Sequence, residues 1–324
     1  MTSVALVADT QPVEHAPREG IVVEVHGMLV TVLMTDGHRV RARPPRDRTT
    51  PVIGDRVTLE TQAGEHRIVA LAPRERAFMR PNAPGGQLVA AHVDRLVIVT
   101  AVSPGPRPGL VDRMWIALGD PRVEVVLVLN KSDLPGVAAA AAELADHIAV
   151  GARLVCTSVA TGQGIADLEA LLEHGLTLMV GHSGVGKSSI VNALVPSAAL
   201  ATGAVNQLTA KGRHTTTVAT CHALSPDHLI VDTPGVRAFP LDGLPLEDVA
   251  KRFPGFQTLA AHCHFAHCLH EGEPGCAVEG AVPAGRLARY ATLLATLREE
   301  AAEKRTTRYP DKKSGKAPPP RPRR

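Results

Sequence analysis

From residue 20 to about 76, apolar and polar positions alternate in short runs broken by turn signals. Gly20-Ile21-Val22-Val23-Glu24-Val25 and Leu29-Val30-Thr31-Val32-Leu33-Met34 flank His26-Gly27, and His38 to Arg43 follows Thr35-Asp36-Gly37. Alternation with a period of two puts one face of each run on a core, and Asp-Gly is a strong hairpin signal. Gly54 to Glu60 and Arg67 to Leu71 bring the count to five strands, the size of a small barrel of the oligonucleotide-binding (OB) type. Arg39, Arg41 and Arg43 fall on one strand face. Arginines alone favour an ordinary solvated edge, and no aromatic pair accompanies them to stack bases.

Arg80-Pro81-Asn82-Ala83-Pro84-Gly85-Gly86 reads as a linker, and beyond it the period changes. Val93 to Thr100, Val123 to Leu129, Leu154 to Cys156, Thr177 to Val180 and His228 to Val231 are near-continuous apolar runs. Gly109 to Leu118 and the Ala-rich Val137 to Val150 have helical composition and lie between them. Buried strands alternating with helices predict a parallel sheet covered on both faces. The expected organisation is multidomain: an OB-type barrel over 20–80, an α/β domain over 87–240, a smaller and mostly helical domain over 241–303, and a tail over 304–324.

Composition narrows this picture. In 324 residues, 44% hydrophobic and 21% charged is globular composition, and 2% aromatics means cores built from Val, Leu, Ile and Ala. No run approaches the roughly 18 apolar residues of a membrane span, and Met1 to Gly20 lacks the pattern of a signal peptide. Five Cys, three of them within Cys263 to Cys276, do not make a secreted disulfide scaffold, so the expected location is the cytoplasm. The formal net charge of +3 hides an asymmetry. Lys304 to Arg324 holds nine Lys and Arg against one acid, a net +8, which leaves −5 on residues 1 to 303. The Pro-rich basic tail is expected to be disordered, and it fits a solubilising terminus as well as phosphate contacts on nucleic acid.

Four segments at strand ends carry the chemistry. Gly181-His182-Ser183-Gly184-Val185-Gly186-Lys187-Ser188 matches G-x-x-x-x-G-K-[ST] between a predicted strand and a helix over Ser189 to Leu194. Gly184 and Gly186 let backbone amides wrap a phosphate chain, Lys187 adds a cation, and Ser188 offers a ligand to Mg²⁺. Asn130-Lys131-Ser132-Asp133 closes another strand. A carboxylate at Asp133 accepts from both the ring N–H and the exocyclic amine of guanine, and adenine lacks that donor pair. In this reading Asn130 supports the loop and Lys131 flanks the base. Thr157-Ser158-Val159, at the next strand end, supplies an amide for the base oxygen. Asp232-Thr233-Pro234-Gly235 places a carboxylate for Mg²⁺ and the Gly235 amide for a γ-phosphate. One of Thr215, Thr216 and Thr217, with Thr216 preferred, completes the metal shell. The candidate catalytic set is Lys187, Ser188, Thr216, Asp232 and Gly235; the nucleotide-binding set is Asn130 to Asp133, Ser158 and Gly181 to Ser189.

Ordinary GTPases run phosphate loop, switch threonine, D-x-x-G, N-K-x-D and base loop. Here Asn130 to Asp133 and Ser158 precede Gly181, so the domain reads as circularly permuted, with Asp232 to Gly235 leading into the C-terminal domain. That connection suggests a relay of γ-phosphate loss to residues beyond Pro240. Val236 stands where many GTPases carry a water-orienting Gln, so intrinsic hydrolysis should be slow and partner-stimulated. His182 and His214 are candidate substitutes, although a solvated loop histidine is the stronger reading of each.

Cys263, Cys268, His270 and Cys276 offer three thiolates and an imidazole, the donor set of a closed structural Zn²⁺ site. His262, His264 and His267 read as surface neighbours, and Cys156 and Cys221 as small strand residues. With Gly-Arg-His-Thr-Thr-Thr at Gly212 to Thr217 and Glu-Pro-Gly-Cys-Ala-Val at Glu273 to Val278, the chain resembles the small-ribosomal-subunit-dependent GTPases of the RsgA (YjeQ) family over about residues 20 to 300. The resemblance implies a slow GTPase that binds the maturing small ribosomal subunit and its rRNA, is stimulated by it and acts in late assembly. It also implies one structural Zn²⁺ and Mg²⁺ with GTP; a monomer without membrane attachment is expected besides. Val159, where the base loop commonly has Ala, and the long basic tail depart from the family pattern. Rival readings are a nucleotide-gated RNA-binding protein, an ATP-dependent kinase or transferase, and a permuted GTPase of the large subunit.

Overall fold

The structure, a computed structural model, describes residues 15–47, 49–62, 64–80, 87–195, 219–225, 227–233, 239, 241 and 244–308. Strands β1 (His15–His26), β2 (Leu29–Met34), β3 (Arg39–Arg43), β4 (Arg56–Gln62) and β5 (Glu65–Leu71) form a closed barrel in the order β1-β2-β3-β5-β4. Closure needs β1 to pair on both edges. Its Gly20–His26 part runs antiparallel to β2 and its His15–Ile21 part antiparallel to β4, with irregularities at Val22/Glu24 and His15/Arg18 that bend the strand. The strand therefore starts five residues before the expected Gly20, because His15 to Glu19 carries no apolar alternation to betray it. Val22, Val30, Val32, Met34, Val57, Leu59 and Ile68 fill the barrel. Arg39, Arg41 and Arg43 are exposed on one face as expected, and Arg39 and Arg43 lie 3.5 and 2.9 Å from Glu24 and Glu65.

A hairpin of β6 (Phe78–Arg80) and β7 (Gln87–Ala90) brackets the expected linker, whose residues 81–86 lie outside the described set. Strands β8 (Val93–Ala101), β9 (Glu124–Asn130), β10 (Arg153–Cys156), β11 (Gly175–Gly181), β12 (Thr220–Ser225) and β13 (His228–Asp232) form one sheet in the order β10-β9-β8-β11-β13-β12. All pairs are parallel except β12 with β13. Among the described residues the helices are α1 (Pro108–Leu118), α2 (Val137–Ala142), α3 (Ala145–Ala149), α4 (Ile165–Leu171), α5 (Lys187–Leu194), α6 (Leu246–Arg252), α7 (Gln257–Ala260) and α8 (Ala284–Arg308).

Two expectations are corrected. The helix expected over Val137 to Val150 is interrupted at Glu143 and Leu144, where α2 ends and α3 begins, and Leu144 and His147 are both fully buried. Residues 304–308, expected as the start of the tail, are helical and continue α8, with which the described residues end.

The barrel, sheet and C-terminal helices share one core. Val23, Leu33 and Ile53 of the barrel cluster with Phe78, Leu96, Trp115 and Leu176, and onward with Phe253, Phe256, Tyr290 and Leu294. At the barrel–sheet seam, Ile53 bridges Ala90, and Gly54 at φ +89° sits where a Cβ would strike the Ala91 carbonyl. Among the described residues no helix is long and apolar enough to cross a membrane.

Candidate active site

Strands β8 and β11 are neighbours at the middle of the sheet, but the chain leaves them in opposite directions. After β8 it proceeds through α1 to β9 on one side; after β11 it proceeds through α5 to β12 and β13 on the other. In an open parallel sheet, a ligand crevice forms outside the carboxyl ends of the strands at such a divergence. The phosphate loop Gly181 to Ser188 and the segment Val102 to Arg107 face each other there.

Gly184 and Gly186 have φ of 85° and 95°, and a Cβ on Gly186 would strike the Asn130 side-chain amide, so the loop is glycine by necessity at that point. Helix α5 begins at Lys187 rather than Ser189, which puts the cation on its first turn. Lys187 is 6% exposed and folds onto its own loop, Nζ donating to the carbonyls of Gly181 (3.1 Å) and His182 (3.4 Å). Burial pulls its pKa below the ordinary lysine value, partly offset by Asp232.

Asp232 ends β13. Its Oδ2 accepts the Ser188 hydroxyl at 2.9 Å, while Oδ1 is buried with no partner among the described residues. Burial raises the Asp232 pKa, against the lowering influence of Ser188 and Lys187. A buried carboxylate oxygen left unpaired beside a serine hydroxyl is a hard-oxygen donor set of the kind that suits Mg²⁺. Thr233 ties this strand end to β11 through its amide and hydroxyl, both donating to the Met179 carbonyl. Thr216, Gly235, Val236 and His214 lie outside the described residues.

The base-selector loop is bonded directly to the phosphate loop. Asn130, 3% exposed, donates from Nδ2 to the Val185 carbonyl at 2.8 Å, across 55 residues of chain, and accepts the Thr157 hydroxyl on Oδ1 at 3.2 Å. Lys131 Nζ donates to the carbonyls of Ser103 (2.6 Å) and Gly184 (2.8 Å). Its head therefore holds two loops together, a tie that sequence reading, which gave it only the base, does not reveal. The Ser132 amide donates to the Thr157 carbonyl at 3.0 Å. The fully buried Ser158 donates its hydroxyl to Asp133 Oδ1 at 2.6 Å, which fixes that carboxylate at the mouth of the crevice. Ser183, Ser188, Ser189 and Asp133 are exposed there.

His182 is not free to orient water. Arg107 Nη1 lies 3.0 Å from its Nε2, and its Nδ1 lies 2.7 Å from the Ser183 carbonyl, so both ring nitrogens are engaged. Arg107 carries no motif signal, since a lone arginine in a Pro-rich turn points to nothing by itself.

The second centre lies in the C-terminal domain, between α7 and α8. One ligand atom from each of Cys263, Cys268, His270 and Cys276 falls within 4.8 Å of the others. His270, at φ 58°, turns Nδ1 toward the sulfurs, 3.6 Å from Cys263 Sγ and 3.4 Å from Cys276 Sγ. The amides of Ala277 and Glu279 donate to the Cys263 and Cys276 sulfurs, as they would to thiolates. Burial, with the neighbouring thiols, pushes Cys268 up to about 12, an electrostatic deficit that a dication would relieve. Three cysteine sulfurs and one imidazole converging within 4.8 Å are the donor set of a structural metal. Around it, the Glu273 carboxylate accepts the amides of Leu269 and Glu271, and the Tyr290 hydroxyl donates to the Leu269 carbonyl at 2.7 Å. His262, His264 and His267 are exposed, as expected.

A phosphate loop after the central strand, a purine-selector loop bonded to its back, and strand ends carrying Ser188 and Asp232 define a P-loop GTPase. Counted from β11 and returning to β8 after β13, the sheet order reads 6-5-4-1-3-2, so the motif order is circularly permuted. The chain belongs to the RsgA GTPase family, whose model matches residues 71–242. It is 38% identical over 301 residues to the small ribosomal subunit biogenesis GTPase RsgA of Azotobacter vinelandii, covering 87% of this chain and 86% of that one. The RsgA protein of Bordetella pertussis is 36% identical over 290 residues, 88% of this chain and 97% of its own. Among solved structures, YjeQ from Thermotoga maritima matches with a TM-score of 0.66 at 27% identity, covering 87% of this chain and 99% of that one. YloQ, described as a circularly permuted GTPase, matches in fold with a TM-score of 0.66 at 22% identity over 90% of this chain and 99% of that one.

Proposed function

We propose that this GTPase acts on the small ribosomal subunit during its late maturation, in the cytoplasm and as a monomer, hydrolysing GTP slowly alone and faster on that particle. The observation that carries the nucleotide half of this reading is the pair of bonds from Asn130 and Lys131 to the Val185 and Gly184 carbonyls. They support one guanine nucleotide spanning both loops. Asp133, steadied by Ser158, would accept from the ring N–H and amine of guanine. The Ser158 amide is already taken by the Gln163 carbonyl, which leaves the Val159 amide to meet the base oxygen. Amides of Gly184 to Lys187 would receive the phosphates, and Lys187 would move from the Gly181 and His182 carbonyls onto the β/γ oxygens.

Ser188 and Asp232 would hold Mg²⁺, which supplies neutralisation of the charge developing on the transferred phosphate. Gly235 and Thr216 are assigned to the γ-phosphate and the metal shell on their sequence positions alone. Val236 offers no hydrogen bond to water, which supports a rate set by the partner. The partner assignment follows the named function of the relatives together with the OB-type barrel and the basic tail, which suit rRNA.

One GTPase assay tests it: turnover with small subunits, with large subunits and with neither. Stimulation by small subunits alone is expected, and equal rates in all three would defeat the assignment. The Cys263/Cys268/His270/Cys276 centre is assigned one structural Zn²⁺. Metal analysis of the purified chain should find one zinc per chain, and Cys268→Ser should lose it; a stoichiometry near zero in the parent would exclude the assignment.

A further inference from the structure

The two hydrogen bonds of His182 carry a consequence for phosphate binding. A guanidinium has donors and no acceptor, so the 3.0 Å contact from Arg107 makes His182 Nε2 the acceptor. The proton then sits on Nδ1, which donates to the Ser183 carbonyl at 2.7 Å. In a trans peptide the carbonyl and the following N–H point in opposite directions. Holding the Ser183 carbonyl toward the His182 ring therefore aims the Gly184 N–H away from that ring. The next two peptides are held the same way. Lys131 takes the Gly184 carbonyl and Asn130 the Val185 carbonyl, which aims the amides of Val185 and Gly186 away from the Asn130–Lys131 loop.

We infer that His182 and Arg107 are positioning residues that preset the Gly184 amide to donate to the β-phosphate of the bound nucleotide, Arg107 acting through the tautomer of His182. This rests on the nucleotide reading above. The device bridges the crevice between the chain leaving β8 and the chain leaving β11, the two segments that Lys131 also joins through the Ser103 carbonyl. A loop fixed before binding avoids ordering its amides when the anion arrives, so its loss appears as weaker affinity rather than as a changed base preference.

The test is titration calorimetry of the full chain with GDP and with GMP, alongside the amide ¹⁵N–¹H resonance of Gly184. His182→Ala is expected to weaken GDP by about 10- to 150-fold, the worth of one hydrogen bond to a charged group, with GMP affinity unchanged. The Gly184 resonance should lose its GDP-induced shift. His182→Gln, which keeps a donor for the Ser183 carbonyl and an acceptor for Arg107, is expected to restore both readouts. Arg107→Ala should fall between. If the parent chain binds GDP and His182→Ala binds it equally well with the Gly184 shift intact, the positioning role is wrong. If His182→Gln falls as far as His182→Ala, the hydrogen-bond argument is wrong. A parent chain that binds no GDP would instead overturn the nucleotide reading.

Discussion

Asp133→Asn should lower the affinity for GDP on the order of 10² to 10⁴-fold, since two bonds to a charged acceptor at roughly 1.5–3 kcal/mol each are lost or reversed. The carboxylate accepts the Ser158 hydroxyl on Oδ1, and Asp133 is otherwise exposed. An amide in that place turns one acceptor edge into a donor. That donor meets either the guanine amine or the Ser158 hydroxyl, and neither relieves it without loss elsewhere. Xanthine carries a carbonyl where guanine carries the amine, so xanthosine diphosphate should bind the variant better than GDP does. The exposed position of Asp133 keeps the fold out of the comparison. Calorimetry with both diphosphates gives the answer, and a variant that binds GDP as the parent does would mean that the base is recognised elsewhere.

Much of this site is legible in the chain because its groups act from strand ends, where a short motif coincides with a change from apolar to polar positions. Gly181 to Ser188 and Asn130 to Asp133 are of this kind, and the sheet brings them together without any further signal. The five barrel strands are legible for the same reason, through their period of two. What the sequence does not reveal is pairing between single residues far apart. Nothing near Lys131 announces that its ammonium lies on the Gly184 carbonyl, and nothing near Arg107 announces His182. Alanine-rich composition also misleads where one polar residue must be buried. His147 sits in a stretch that reads as a plain, solvated helix, yet its ring has no solvent exposure. The Cys/His centre was readable as a donor set from spacing alone, whereas the turn of His270 that presents Nδ1 rather than Nε2 is a backbone property, φ 58°, with no compositional mark.

The break at Leu144 has an energetic counterpart where the C-terminal domain meets the sheet. Asp112 of α1 is 1% exposed, and its Oδ1 accepts His147 Nε2–H at 2.9 Å and lies 3.1 Å from Arg286 Nη2 of α8, itself 2% exposed. Arg286 also donates from Nε and Nη2 to the Pro254 carbonyl at 3.1 and 3.0 Å, and its guanidinium lies 4.6 Å from the centre of the Phe253 ring. Burial lowers the Arg286 pKa and the Asp112 charge opposes that, so the carboxylate is what keeps a cation tolerable there. Removing it leaves a guanidinium and an imidazole N–H in a dry interface, and Asp112→Ala should destabilise the chain by about 3–5 kcal/mol, a large part of the roughly 5–15 kcal/mol that holds an ordinary domain together. The single tryptophan, Trp115, lies one turn along α1 from Asp112 and 8% exposed, so its fluorescence during denaturant unfolding reports on this junction. Arg286→Met in the Asp112→Ala background should recover part of the loss, because the uncompensated charge is gone while the His147 N–H still lacks an acceptor. A midpoint for Asp112→Ala equal to that of the parent would show that water reaches the pair and that the junction is held by its apolar contacts alone.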